Sequence, residues 1–411
     1  MPAPDLEGEL AAFLARHADD LTDFRRDLHA HPEIGYHEHR TTRRIALRLQ
    51  AAGLRPTILP KGTGLIADVG SSGAAGPVVA LRADIDALPI TDEKNVPYRS
   101  TVPSACHACG HDVHTTVLLG TGLFLARAAA EGRLAGRVRL IFQPAEEVPG
   151  GALDVLAAGG IASVDRIFAL HCDPRLDVGK IGTRTGPITA ACDKITVTVR
   201  GPGGHTARPH LTADLVFALG KIITELPAAL SRRVDPRSSL SLVWGRVSAG
   251  SAANAIPDDG VVQGTVRCLD DAAWHAAPDL LKALIESVAS AYGVVADLSY
   301  QRNVPPTVNE AASTAMFEAA AERVLGPDAV TPAPQSLGGE DFAWYLESVP
   351  GALARLGTRR PGSDDDFDIH QPKFDVDERA IGVGVRLMAG TALGALGEAG
   401  TRRPFSGMAT A

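Results

Sequence analysis

The chain contains no run of five or more consecutive Lys or Arg, and its 48 acidic against 40 basic residues give a formal net charge of −8. An electrostatic footprint for nucleic acid or anionic lipid is therefore missing. No uninterrupted apolar segment reaches the roughly 18 residues that a helix needs to cross a bilayer. The stretch from Asp5 to Leu21 sets Glu7, Glu9, Asp19 and Asp20 among apolar residues at helical spacing, without the basic start and apolar run of a signal peptide. These absences predict a cytoplasmic chain that engages neither membrane nor nucleic acid. Cysteine is scarce as well. Five residues (Cys106, Cys109, Cys172, Cys192, Cys268) argue against a disulfide framework and favour a metal or catalytic role for one of them. No repeat at solenoid or propeller periods occurs, and biased composition is confined to 71–76, Asp364 to Asp366 and the C-terminal tail.

What is present is enough for a large core: 45% of the 411 residues are hydrophobic and 21% charged. Single cores stop growing near roughly 250–300 residues, so two domains are expected. Apolar runs end abruptly in polar residues at Val78 to Ala83 before Asp84, Val138 to Phe142 before Gln143, and Ile167 to Leu170 before His171. They read as buried strands of a mostly parallel sheet. Helix-like stretches such as Thr115 to Ala130 alternate with them, which predicts an α/β layer fold. Sites in such folds gather beyond the carboxyl ends of the strands, where Asp84, Asp86, Glu146, Glu147 and His171 all fall. From Asp193 the pattern changes to strand (Ile195 to Val199), helix (Ala213 to Leu230), strand (Leu240 to Val247), strand (Val261 to Cys268), helix (Ala272 to Ala291) and strand (Val295 to Tyr300). That βαββαβ order predicts a ferredoxin-like two-layer domain. After Pro305-Pro306 the α/β pattern resumes, with a helix at Ala311 to Leu325, a strand at Ala352 to Leu356 and a closing helix at Ala380 to Leu396. The expected organisation is a metal-binding α/β domain of residues 1–188 and 304–411 with residues 189–303 inserted as a lid.

The chemistry concentrates in Cys106 to His114, where three His, two Cys and one Asp fall within nine residues. A lone histidine is ordinarily a satisfied structural residue, but thiolate, imidazole and carboxylate together are the ligand set of zinc and its neighbours. Spacing narrows the reading. Cys106 and Cys109 form a CxxC without the second pair of a zinc ribbon, and the His107/His111 spacing lacks the Glu after the first His that a zincin requires. Residues distant in sequence must complete the group, and Glu146, Glu147, His171 and His370 offer themselves. Adjacent carboxylates on an extended segment point in opposite directions, so one of the Glu146-Glu147 pair can hold metal while the other acts as general base. His29, His31, His37 and His39 read as surface or packing residues, and Cys172 and Cys192 as small buried ones.

The blocks LRADIDALPI (81–90), HACGHDVHT (107–115), FQPAEE (142–147), GGHTARPH (203–210), SAANAIPD (251–258), GTVR (264–267) and GGEDF (338–342), with His370, resemble the M20 metallopeptidase family. The resemblance is to its amidohydrolase branch, which holds hippurate hydrolases, N-acyl-amino-acid amidohydrolases and auxin-conjugate hydrolases. It implies one or two divalent ions (Zn, Mn, Co or Ni) on Cys109, His111, Glu147, His171 and His370, with Glu146 as general base. Asp86 matches an aspartate that orients a ligand, and Asp84 stands where other branches have a metal-binding His. The inserted domain is implied to be a dimerisation lid. In it His205 approaches the scissile carbonyl, while Asn254 and Arg267 match substrate-contact positions. Departures are local: Cys106 replaces a common Met, and Val148-Pro149 interrupts a glycine run beside the site, stiffening it. The expected activity is hydrolysis of the amide bond of a small N-acyl amino acid by a homodimer. A guanidinium such as that of Arg267 suits the free carboxylate of such a substrate. A dipeptidase or aminopeptidase of the same fold is the nearest alternative, and a non-catalytic binding protein a more distant one.

Overall fold

The computed structural model describes residues 6–70, 76–363 and 367–399. The biased segments at 71–75 and 364–366 and the C-terminal tail lie outside the described residues. The chain divides into two compact units, the larger comprising 1–186, 309–334 and 344–411 and the smaller 187–308 and 335–343. The segment 335–343, which carries the GGED block, thus groups with the smaller unit and not with the larger domain expected to contain it. Backbone bonding explains the difference, because Ser336 donates its amide to Ile188 (2.9 Å) and accepts that of Ala190 (3.0 Å).

The larger unit is built on an eight-stranded sheet in the order Thr57–Ile58, Leu65–Val69, Arg137–Gln143, Val78–Asp84, Arg166–Asp177, Gly351–Arg359, Ile181–Thr183, Val330–Pro332. The four central strands, from Arg137–Gln143 to Gly351–Arg359, are mutually parallel. Every residue of Val78–Asp84 is buried, as expected of a strand covered on both faces. The cover comes from helices Leu6–Ala30, His39–Ala51, His111–Ala130, Ala311–Leu325 and Arg379–Ala399, whose apolar side chains join the strands in one core around Leu21, Leu81, Leu119, Phe142, Phe168 and Val385. Two segments, His111–Ala130 and Arg379–Gly397, are long and apolar enough to cross a membrane and are mostly buried in this unit. Neither is an uninterrupted apolar run, since residues such as Gly120 and Arg127 break the first and Arg386 the second.

The smaller unit is an antiparallel sheet ordered Ser241–Ala249, Asp259–Cys268, Ala191–Arg200, Val295–Val304, with helices Leu215–Arg233 and Asp271–Ala291. Both helices start on a carboxylate. Asp214 accepts the Phe217 amide (3.1 Å) and Asp270 that of Ala273 (2.8 Å). Ile195, Val197 and Val199 alternate inward along their strand to meet Leu219, Ile222, Leu226, Leu281 and Ile285 from the helices.

Candidate active site

The nine residues from Cys106 to His114 are all buried, yet only part of the cluster faces one centre. The reason is the turn at Gly110, which opens the His111–Ala130 helix with φ +87°. An added Cβ there would stand 2.8 Å from Cys172 Sγ, so the position needs glycine both for its backbone and for the close strand. The turn throws Cys109 and His111 to one side. His107 goes elsewhere: its ring lies 6.2 Å from that of His29, burial drives its pKa down to about 3, and both its nitrogens lack a hydrogen-bond partner among the described residues. Asp112 is bound to Arg25 and His29, each at 2.7 Å. Cys106 Sγ lies 3.6 Å from Lys94 Nζ, and burial pushes its thiol up to about 11.

Four segments bring their side chains to Cys109 and His111. His171 lies inside Arg166–Asp177 and not beyond its end as the apolar run suggested, because pairing with Gly351–Arg359 carries the strand on past it. Its Nδ1 bonds the Cys172 carbonyl (2.8 Å), leaving Nε2 at 3.4 Å from Cys109 Sγ. His111 turns Nδ1 to Asp86, at 3.0 Å from its carbonyl and 3.1 Å from Oδ1, and so presents Nε2. The second Asp86 oxygen accepts the Glu147 amide (3.0 Å), so one aspartate orients a histidine and a glutamate together. Glu147 Oε1 lies 3.2 Å from His370 Nε2 and 3.9 Å from His111 Nε2. His370 itself has a left-handed backbone (φ +64°), fixed by its amide bonding the Ala108 carbonyl at 2.7 Å.

Glu146 and Glu147 do not follow the alternation of an extended segment. They sit on a bend that begins at Ala145 (φ +53°), and both carboxylates share a group with His111 in which the donor atoms lie within 4.8 Å of one another. Cys109/His111/His171 and Cys109/Glu147/His370 meet the same limit. The six predicted residues Cys109, His111, Glu146, Glu147, His171 and His370 therefore converge.

The donor set fits a divalent cation. Among the described residues His111 Nε2 is buried without a hydrogen-bond partner, Glu147 Oε1 is shared between His370 and His111, and His111 and His171 each have the other nitrogen engaged by a carboxylate or carbonyl. That is the arrangement found around metal-ligating imidazoles. Burial, helped by Arg355, holds His171 well below its ordinary pKa, so its ring is neutral. Burial also raises the Cys109 thiol and outweighs the opposing His111 charge. For Glu147 burial is outweighed by His370 and His111, and its carboxyl is lowered.

Asp84 is spent differently. Its oxygens accept from Arg82 and His114, each at 2.6 Å, and His114 Nε2 in turn accepts the Cys172 amide (2.8 Å). Burial opposes its charge, but His111, His114 and Arg82 hold it well below the usual carboxylate range. Asp84 thus braces the strand beside His171.

Three predicted residues belong to the smaller unit. His205 is exposed on the short strand Gly204–His205 opposite Ala255, its Nδ1 accepting the Ala207 amide (3.0 Å). Asn254 is exposed and bonds through its carbonyl to the Thr206 amide (3.2 Å). Arg267 is half-buried and donates to the Leu337 carbonyl. A residue that the sequence did not mark is Glu38, whose buried carboxylate lies against the bend of the glutamate pair.

The chain is similar to known proteins over most of its length. It is 39% identical over 363 residues to an N-acetyl-L-cysteine deacetylase of Bacillus subtilis, covering 88% of this chain and 84% of that protein. It is 49% identical over 369 residues to a putative glutamate–cysteine ligase 2-3 of Rhodococcus jostii, matching 90% of this chain but spanning only 46% of that relative's length. Its fold matches the crystal structure of a Bacillus subtilis protein described as a dinuclear metal-binding peptidase from the M20 family, with a TM-score of 0.82 and 36% identity over 94% of this chain and 99% of that one. Residues 80–394 match the peptidase family M20/M25/M40. With that match and the converging donor set, the chain belongs to the peptidase family M20/M25/M40, among its metal-dependent amidohydrolases.

Proposed function

We propose that the chain hydrolyses the amide bond of small N-acyl amino acids, releasing a carboxylic acid and a free amino acid. The observation that carries this reading is the bend at Ala145, which turns both Glu146 and Glu147 to the centre formed with Cys109, His111, His171 and His370. Similarity to a deacetylase of N-acetyl-L-cysteine supports the substrate class.

Cys109, His111, Glu147, His171 and His370 would hold one or two divalent ions, of zinc, manganese, cobalt or nickel. When bound, such ions supply Lewis acidity that acidifies a water molecule and polarises the amide carbonyl. The protein's own groups do the rest. Asp86 keeps the His111 tautomer and the Glu147 backbone in register. Glu146 accepts a proton from the attacking water, whose oxygen bonds to the acyl carbon, and returns it to the nitrogen as the C–N bond breaks. Stabilisation of the oxyanion by His205, substrate contacts of Asn254 and Arg267, a homodimer paired through the smaller unit and a cytoplasmic setting follow from the family resemblance and complete the reading. Arg267 retains donors beyond the one used on Leu337, enough for a carboxylate.

The test is elemental analysis of the purified protein followed by a panel of N-acetyl amino acids, N-benzoyl amino acids and dipeptides. N-acyl amino acids should turn over fastest. Glu146→Gln should keep its metal and lose at least about 10²-fold in kcat, a general base being worth about 10²–10⁴, whereas Glu147→Gln should lose both metal and turnover. Preference for free dipeptides would replace the reading by a dipeptidase. A metal-loaded protein that hydrolyses nothing on the panel would leave a binding protein.

A further inference from the structure

The bend that aims Glu146 and Glu147 starts from a residue in an unfavourable backbone. Ala145 has φ +53°, a conformation that costs a residue with a Cβ and persists only where its surroundings impose it. The surroundings come from residues 33–38. Gly35 lies so close that a Cβ on it would stand 2.6 Å from Val148 Cγ2, and Tyr36 donates its hydroxyl to the Pro149 carbonyl (3.3 Å). The same segment reaches Asp86's loop, since the Ala87 amide bonds the Glu33 carbonyl at 2.8 Å.

Glu38 is the polar element of this mould. It occupies the position preceding the His39–Ala51 helix, where a side chain ordinarily caps the first amides, yet it makes no such bond. Glu33 performs the capping instead, accepting the amides of Arg40 (3.0 Å) and Thr41 (2.8 Å). The Glu38 carboxylate is thereby released to turn inward, where it is fully buried and accepts the Ala145 amide at 2.7 Å. Its other oxygen, Oε2, is buried as well, and the amides of Glu38 itself and Tyr36 also face the carboxylate. Burying a carboxylate is costly, and the bond that Glu38 makes in return runs to the Ala145 amide and not to the helix it precedes.

We propose that Glu38 is a positioning residue of the hydrolytic centre: by accepting the Ala145 amide it holds the left-handed turn that points Glu146 and Glu147 at their shared site. The proposal rests on the reading of Glu146 as proton acceptor and Glu147 as ligand. Without the bond, Ala145 relaxes toward ordinary backbone angles and the two carboxylates leave their places together. A displacement of about 1 Å in such a group costs on the order of 10²-fold in rate.

Four variants of the metal-loaded protein test this: Glu38→Ala, Glu38→Asp, Glu38→Gln and, as a control that removes only the helix cap, Glu33→Ala. Amide hydrogen exchange across 144–151 and steady-state kinetics on the best N-acyl amino acid are measured for each. In Glu38→Ala and Glu38→Asp, exchange should rise at 144–151 while the central strands stay protected, and kcat should fall about 10–100-fold with KM changed less than about threefold. Glu38→Gln keeps an oxygen acceptor and should restore the protection and most of kcat. Glu33→Ala should keep kcat within about threefold. Unchanged exchange at 144–151 in Glu38→Asp, or a rise spread evenly over the larger unit, would overturn the proposal. Should Glu38→Ala fail to fold, Glu38→Asp decides by the same signature. If the unaltered protein hydrolyses no substrate, the proposed function fails by itself, and the exchange pattern still judges Glu38.

Discussion

At the scale of single residues, Glu38 ties stability to pH in a direction opposite to that of most carboxylates. Burial pushes its carboxyl up to about 7, with its own amide and those of Ala145 and Tyr36 opposing the effect and the neighbouring Asp86 charge adding to it. Below about pH 7 the folded metal-free protein therefore favours the proton-bound form. The stabilising contribution is present in full below the ordinary value of 4.5 and is lost as pH rises towards about 7. Glu38→Gln carries no such proton. In the metal-free state, urea unfolding of the two proteins should diverge between pH 5 and pH 7.5, with the Gln variant gaining relative stability by at most about 1.4 kcal/mol per pH unit across that window. Parallel pH profiles would mean that the folded protein does not raise the Glu38 pKa. This residue was illegible in the sequence for a simple reason. It meets Ala145 across 107 positions, and nothing in HPEIGYHEHR distinguishes a carboxylate that caps a helix from one that turns away from it. Cys109, His111 and the glutamate pair were legible because their residue types are rare together and stand at strand ends or a helix start.

At the scale of elements, the turn at Gly110 shows where local pattern stops being informative. Apolar runs located the strands Val78–Asp84 and Arg137–Gln143 within a residue or two, since full burial leaves no polar alternation to confuse the pattern. They did not locate the end of Arg166–Asp177, where strand pairing overrides composition, nor the direction of Glu146, where the φ of Ala145 overrides the period of an extended chain. The spread of the Cys106 to His114 cluster into separate environments likewise depends on the backbone at one glycine. Gly110→Ala meets two penalties: the left-handed backbone at +87° and a contact of 2.8 Å with Cys172 Sγ. Gly53→Ala meets only the first, at +83°, with nothing within 4 Å of the new Cβ. The backbone term alone costs roughly 1–2 kcal/mol, so Gly53→Ala should lose about that much stability and keep its metal. Gly110→Ala should lose about 1–3 kcal/mol more, as overpacking does, and release metal because Cys109 and His111 are displaced relative to each other. Thermal midpoints and elemental analysis of the two variants check this. Similar losses in both would show that the approach of Cys172 to the turn is not tight.

At the scale of the whole molecule, the proposed homodimer can be tested through the smaller unit. Its sheet ends on Ser241–Ala249 and Val295–Val304, two long edge strands of the kind that recruit another strand unless covered. Val243 and Val247 on the first are 64% and 57% exposed. A twofold dimer brings the same edge from two chains together and removes the liability from both. His205 is exposed in the same unit, its Nδ1 accepting the Ala207 amide. If each hydrolytic centre takes His205 from the opposite chain, two inactive variants must rescue each other. His205→Ala chains lack the donor but keep Glu146; Glu146→Gln chains lack the base but keep His205. A mixed dimer then contains one site missing both groups and one site with both intact, so a random mixture should recover about a quarter of the native activity, from half of the dimers each holding one intact site of two. Co-expression of differently tagged variants, with tandem purification to isolate mixed dimers, raises the expected recovery to about half. Mixed dimers isolated in this way that show no turnover above either parent would place His205 outside the neighbouring chain's site.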